Sequence, residues 1–356
     1  MKDRSQLVDW LSQLIATPSL SREEDNTARL IEEWLREAGL SPQRHGNNVW
    51  ASSPHNQDGR PTVLLNSHHD TVKPNAGYTR DPFVPEVVEG KLYGLGSNDA
   101  GGCLISLLAT FLHYVAEPLA EVNLVFAASA EEEISGKGGM EALFPHLPAI
   151  DVAVVGEPTL GQLAVAEKGL MVIDALAPGR SGHAAREEGD NALYRALDDI
   201  AWLRQFEFPK QSEWLGKVKA TATIIQSGTQ HNVVPAECSF TLDVRTTDAY
   251  TNQEVLAILQ EHMQSTLTPR STRLQPSGIP DSHALVQAGL AMEREAYGSP
   301  TLSDQALIPV PSLKMGPGDS ARSHTADEFI WVDELEAGHR DYVQLLAGFA
   351  ERMAKP

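Results

Sequence analysis

The chain reads as an α/β protein with an α+β unit inserted into it, and three observations carry that reading. At 356 residues it is long for one compact core and comfortable for two. Its first third alternates helical periodicity with short apolar runs, the pattern of a sheet covered by helices on both faces. From about Gly169 the texture shifts to longer, half-polar strands, and beyond residue 278 the first texture returns.

Taken in order, Leu7, Leu11, Leu14 and Ile15 recur on one helical face. Ser21 with Glu24 has the form of a capping box for a second helix carrying Leu30, Ile31, Trp34 and Leu35 and closing at Gly39. Apolar strands follow at TVLLNSHHD (62–70), VNLVFAASA (122–130) and DVAVVGE (151–157), with a helix AGGCLISLLATFLHYV (100–115) between the first two. In the middle of the chain, LMVIDALAP, the helix NALYRALDDIAWLRQF, KATATIIQSG, ECSFTLDVRTT, the helix NQEVLAILQEHM and TRLQPSG (272–278) give β-α-β-β-α-β, the ferredoxin-like order. A helix over 283–297, a strand PSLKMG and a long terminal helix then resume the outer pattern. The expected domains are 1–168 with 279–356, and 169–278 inserted between them.

Composition narrows the function. The formal net charge of −20 repels phosphate backbones and anionic lipid, so neither nucleic acid nor membrane is expected as a partner. The N-terminus carries charged residues where a signal peptide needs an apolar core, and no apolar run looks long enough to span a bilayer. Two cysteines, Cys103 and Cys238, exclude a disulfide framework and suit a cytoplasmic protein.

The chemistry lies at strand ends. His68 and Asp70, the run Glu131 to Glu133, Glu157, and His324 after PSLKMGPGDSARS all follow strand patterns, and Asp99 lies in the glycine-rich GLGSND before a helix. In open α/β sheets ligands bind at the carboxyl ends of the strands, so one crevice can collect them. Strand alternation turns His68 and Asp70 to one side, a metal ligand with a partner that fixes its tautomer, and turns His69 to the other, as a buried hydrogen-bonded histidine. Adjacent carboxylates repel unless a cation lies between them. Two histidines and three carboxylates suit zinc or a similar divalent ion, with donors enough for two ions sharing one carboxylate; cobalt and manganese accept the same ligands.

The segments NSHHDTV, LYGLGSNDAGG, ASAEEE, VVGEPT and MGPGDSARSHTADE resemble, in order and spacing, the M20 metallopeptidases and deacylases. The nearest look is to acetylornithine deacetylases, acetyl-lysine deacetylases and succinyl-diaminopimelate desuccinylases. The resemblance implies a zinc-peptidase-like catalytic domain, a central mixed sheet flanked by helices, with the inserted ferredoxin-like unit as a dimerisation lid. It implies that His68 and Glu157 hold one zinc, Glu133 and His324 the other, and that Asp99 bridges them. Asp70 then orients His68, and Glu132 is the general base and acid. Glu131 stands where family members often carry Asp, and Ala100 where an Asp or small residue follows the bridging Asp; neither departure removes a ligand. By the same resemblance His183 in PGRSGHAAREEGDNA stabilises the oxyanion from the other subunit of a homodimer, and Asn232 binds substrate there too.

Arg245 on FTLDVR reads equally as a bidentate anchor for a substrate carboxylate, which an acidic protein requires, and as one half of a surface ion pair. Gly316, with Gly318, reads as a loop admitting a ligand close to the backbone, and Arg322 as a further anion anchor. The implied reaction is dizinc-dependent hydrolysis of an N-acyl amino acid, N-acetylornithine or N-acetylcitrulline in arginine biosynthesis. The alternatives are N-succinylornithine or succinyl-diaminopimelate desuccinylation, which would need Arg322 or Lys137 for the second carboxylate, acetyl-lysine deacetylation, a dipeptidase, or a non-catalytic metal-binding scaffold.

Overall fold

A computed structural model of the chain describes residues 3–354. It opens with α1 (Arg4–Ile15), whose Leu7, Leu11, Leu14 and Ile15 are buried, and α2 (Asp25–Glu37), which buries Ile31, Trp34 and Leu35. Ser21 does not cap α2. Its hydroxyl donates to Asp70 Oδ2 at 2.7 Å, and the Glu24 carboxylate accepts from Arg22 N and Asn47 Nδ2 instead. A distant acid has outcompeted the local capping pattern.

The chain then builds a mixed sheet from β1 (Gln43–His45), β2 (Asn48–Ser52) and β3 (Thr62–His68), with a hairpin of β4 (Glu86–Val88) and β5 (Lys91–Tyr93) standing apart from it. Next come α3 (Gly102–Ala116), β6 (Asn123–Ser129), the short α4 (Met140–Leu143), β7 (Val152–Val155) and β8 (Leu163–Glu167). Residues Ser97–Ala116 are long and apolar enough to cross a membrane by composition, contrary to the sequence expectation, but they are mostly buried. Leu104, Leu107, Leu108 and Phe111 of α3 have no exposed surface, so its apolar character serves the core.

In the inserted unit, β9 (Gly169–Pro178), β10 (Gly182–His183), α5 (Ala192–Gln205), β11 (Lys219–Ser227), β12 (Val233–Val234), β13 (Glu237–Thr246), α6 (Asn252–His262) and β14 (Thr266–Pro269) follow in order. Its four strands pair as β11-β13-β9-β14, all antiparallel, which is the ferredoxin-like arrangement. Burial alternates along β13, and Phe240, Leu242 and Val244 join Ile173, Leu203 and Val255 in the unit's own core. The last strand is Thr266–Pro269 and not residues 272–278. In that stretch Leu274 is the lone buried apolar side chain, and Pro276 has no N–H for a ladder.

Beyond β15 (Ser277–Gly278) come α7 (Ala284–Ala291), β16 (Ala296–Ser299), β17 (Ser312–Lys314), β18 (Phe329–Trp331) and α8 (Val332–Met353). The helix expected over 283–297 ends at Ala291; Glu293 takes a left-handed φ of 59° and the chain turns into a strand. One compact unit comprises the chain up to Val165, Gly278–Tyr297 and from Ser303 onward; the other comprises Ala166–Ser277 and Gly298–Leu302. Residues 298–302 thus group with the inserted unit rather than the outer one, because Gly298, lacking a Cβ, lies against the backbone of Trp214.

What matters for function is the order β1-β2-β6-β3-β7-β17 in the main sheet. β6, β3, β7 and β17 run parallel, so their carboxyl ends reach one edge together.

Candidate metal centre

His68 is the last residue of β3, Glu131–Glu133 follow β6, Glu157 follows β7, and His324 lies on the loop after β17. Asp99 comes from an irregular turn, Ser97–Gly101, in which Asp99 and Ala100 leave helical geometry just before α3. The parallel strands therefore deliver four of the acidic and imidazole groups, and the turn before α3 inserts the fifth among them.

His68 is buried, and its Nδ1–H donates to the Asp70 carbonyl at 2.9 Å, with the Asp70 carboxylate 3.4 Å away. That bond turns Nε2 toward the acids. Nε2 lies 3.2 Å from Asp99 Oδ1, 3.8 Å from Glu157 Oε1 and 4.0 Å from Glu132 Oε2. The other Asp99 oxygen, Oδ2, is 3.7 Å from His324 Nε2, which pairs with Glu133 Oε2 at 2.8 Å. Asp99 thus turns one oxygen to each histidine. Two sets of donor atoms, His68–Asp99–Glu133 and His68–Glu132–Glu157, each lie within 4.8 Å of one another.

Electrostatics is severe here. Burial, with the charges of Glu157, Asp304 and Glu133, drives Glu132 well above the ordinary carboxylate range. Burial and the charges of Asp99 and Glu133 push Glu157 up to about 8, while the hydrogen bond to Glu133 carries His324 up to about 9. Burial opposes a charged His68, but Asp70, Asp99 and the flanking glutamates outweigh it and raise its pKa. A divalent cation among these donors would let the carboxylates ionise, and mixed imidazole and carboxylate donors suit zinc, cobalt or manganese. The residues fit such an ion, and they are enough for two.

Three buried acids that are not in the donor sets hold the turns that carry them. Asp70 accepts from Glu132 N at 3.0 Å and Glu133 N at 3.2 Å, so it does more than orient His68. Glu24, buried at the start of α2, accepts from Glu131 N at 3.2 Å. Glu328 accepts from Gly96, Asn98 and Asp99 N–H groups. A fourth buried acid, Asp304, accepts from Ser129 Oγ at 2.5 Å and Asn66 Nδ2 at 3.0 Å, behind His68. The sequence assigns none of Glu24, Glu328 and Asp304 to the site: Glu24 reads as a helix cap, Glu328 ends the segment MGPGDSARSHTADE without a role, and Asp304 carries no local signal.

Other predicted residues are placed differently. His69 turns away from the cluster and pairs with Thr27 Oγ1 and the Asn47 carbonyl. Glu131, at a left-handed φ of 55°, directs its carboxylate to Gly138 N. Gly316 does not open the backbone to a ligand: a Cβ there would meet Cys103 Sγ, the Glu157 carbonyl and Tyr342 Oη, so the missing side chain admits protein atoms. Arg322 is committed to Glu334 by bonds of 2.6 and 2.8 Å and stacks over Phe329, and is no free anion anchor. In the inserted unit Arg245 pairs with Asp243 on its own strand. His183 and Asn232 come together there, both exposed: Ala184 N donates to the Asn232 carbonyl, and His183 Nδ1 accepts from Ala185 N.

Residues 64–348 match the family described as Peptidase family M20/M25/M40. A succinyl-diaminopimelate desuccinylase from Stenotrophomonas maltophilia is 29% identical over 94% of this chain and 96% of its own length. An acetylornithine deacetylase from Proteus mirabilis is 27% identical over 96% of each. Among solved structures, the aminopeptidase PepT from Bacillus cereus superposes with a TM-score of 0.78 at 18% identity, covering 98% of this chain and 99% of its own. A Bacillus subtilis protein described as a dinuclear metal-binding peptidase of the M20 family gives 0.76 at 16%, covering 99% of both. These last two establish likeness of fold.

Proposed function

The chain belongs to Peptidase family M20/M25/M40 and is a metal-dependent amidohydrolase, and from that premise we propose that it deacylates a small N-acyl amino acid, foremost N-acetylornithine or its citrulline counterpart. The observation that carries the dinuclear reading is Asp99, whose two oxygens face His68 and His324. His68 and Glu157 would hold one ion, Glu133 and His324 the other, and Asp99 would bridge. Zinc suits these donors, as do cobalt and manganese.

When bound, the ions supply Lewis-acid polarisation of the acyl carbonyl and acidify the attacking water toward a pKa of ~7. The chain supplies the rest. Glu132 takes the proton from the attacking water through its carboxylate and passes it to the departing amine nitrogen, so that an amide and water become a carboxylate and an amine. Asp70 holds Glu132 for this by its main-chain N–H.

Of the two cations that a succinyl carboxylate could use, Arg322 is already neutralised by Glu334, which supports an acetyl group and leaves exposed Lys137 as the succinyl alternative's remaining candidate. The exposed pair of His183 and Asn232 supports the reading that the inserted unit contributes them across a homodimer. Ile224 and Ile225 on the edge strand β11 and Tyr194 and Leu197 on α5 are exposed apolar residues suited to that contact. Both cysteines are free and buried, in keeping with a reducing cytoplasm.

The test is release of ornithine from N-acetylornithine and N-succinylornithine, measured side by side on zinc-loaded protein. Preference for the acetyl substrate is expected. Preference for the succinyl substrate would overturn the acyl assignment, and release from neither, with zinc bound, would overturn the substrate class.

A further inference from the structure

Resting on that reading of the metal centre, we propose that Glu328 is a positioning residue that fixes Asp99 between the two histidines and ties the Asp99 turn to the His324 loop. Glu328 is 2% exposed and lies four residues after His324. Its Oε1 accepts from Asn98 N at 2.8 Å and Asp99 N at 2.9 Å, and its Oε2 accepts from Gly96 N at 2.9 Å. One carboxylate therefore collects three main-chain donors from the four residues Gly96–Asp99, where the turn leading into α3 loses helical geometry.

That stretch is otherwise hard to hold. Gly96 has a φ of 75°, and Asp99 and Ala100 break helical geometry, so the N–H groups of Gly96, Asn98 and Asp99 have no regular backbone partner. Buried donors need an acceptor, and a carboxylate bonds them more strongly than a neutral oxygen. Asn98 then closes the loop from the other side: its Nδ2 donates to the Asp319 carbonyl at 3.1 Å and its Oδ1 accepts from Asp319 N at 3.0 Å. The segment from Asp319 to Glu328, which carries His324, is thus fastened to the Asp99 turn at both ends. His324 is itself at a left-handed φ of 59°, which a free loop would rarely keep. The Asp99 oxygens face His68 and His324 at once because Glu328 and Asn98 keep these two segments in register.

The test uses full-length Glu328→Gln, stripped of metal by chelator and titrated with cobalt, with visible absorption and chelator competition giving each affinity. Glutamine matches the shape but offers one acceptor oxygen and turns an NH2 toward a backbone donor. Affinity for at least one ion is expected to fall ~10–100-fold, the usual effect of removing a partner behind a ligand. The thermal midpoint of the metal-free variant is followed alongside, since a merely structural residue would lower that midpoint and leave affinity alone. Cobalt affinities within threefold of wild type, whatever the midpoint does, would overturn the proposal. Asn98→Ala, which cuts the link to Asp319 and leaves Glu328 in place, provides the second variant and is expected to weaken the same ion. Wild-type protein that binds cobalt yet hydrolyses no acylated amino acid would overturn the proposed function alone, because the Glu328 result is read from metal binding.

Discussion

Replacing Glu132 with glutamine separates a proton-transferring group from a metal ligand, and the structure gives reason to ask. Glu132 Oε2 is 4.0 Å from His68 Nε2, near enough for Glu132 to count among the donors around one ion as well as to serve as base. The neighbouring acids are otherwise occupied: Glu133 is tied to His324, Glu131 is bonded to Gly138 N, and Glu157 faces His68. None can take over the proton. Glutamine retains the side-chain shape, and the main-chain bond from residue 132 to Asp70 is untouched. General acid–base catalysis contributes about 10²–10⁴ in rate, or ~3–5 kcal/mol of transition-state stabilisation. With no substitute base the upper part of that range is expected, in kcat with KM little changed. The assay is amine release under saturating substrate, with metal content measured on the same samples by atomic emission. Two ions retained with turnover down by three to four orders of magnitude supports the base. Turnover within threefold of wild type would refute it, and loss of one ion per chain would make Glu132 a ligand instead.

Metal uptake should release protons and change the pH dependence of stability. Glu157, raised from an ordinary 4.5 to about 8 by burial and its acidic neighbours, favours the metal-free fold below pH 4.5, and that contribution is lost as pH rises toward 8. The thermal midpoint of chelator-treated protein is therefore expected to fall between pH 5 and 8 and to recover with zinc, while calorimetry in buffers of different ionisation enthalpy detects protons released on zinc binding at pH 6.5. A midpoint that rises over that window, or zinc binding without proton release, would contradict the assignment. For the homodimer, an equal mixture of His183→Ala and Glu132→Gln subunits, each inactive alone, is expected to recover part of the activity after subunit exchange. No recovery with exchange verified would exclude a site shared between subunits.

The strand ends carrying His68, Glu133, Glu157 and His324 were legible because each chemical residue follows an apolar run, and period-two alternation alone separates His68 from His69. The bonds of His69 to Thr27 and Asn47 agree with its reading as a buried, hydrogen-bonded histidine. What local pattern could not reach were acids whose partners lie far along the chain. Ser21 and Glu24 match a capping box in spacing, yet Ser21 serves Asp70, 49 residues away, and Glu24 serves Glu131, 107 residues away. Arg322 read as an anion anchor because Glu334, twelve residues on, carries no signal of pairing in the sequence, whereas for Arg245 the pairing with Asp243, two residues back, decides between the anchor and the ion pair that the sequence leaves open. The short fourth strand of the inserted unit was misplaced for a related reason: Thr266–Pro269 has four residues and one buried apolar side chain, too little for periodicity to register.

Glu24 and Glu328 share one physical role with Asp70. A centre that gathers Asp99, Glu132, Glu133 and Glu157 sets acids side by side, and without a cation their mutual repulsion, relieved only by taking up protons, works against every backbone turn that presents them. Asp70, Glu24 and Glu328 place acceptors under the N–H groups of residues 96, 98, 99 and 131–133. The turns are thereby fixed through the main chain, independently of what their side chains bind. Preorganisation of this kind sets donors in position without drawing on the metal's own binding energy. It also explains why the supporting groups are themselves acids: neutral acceptors would form weaker bonds to the same N–H groups, and lysine or arginine has no oxygen to offer them.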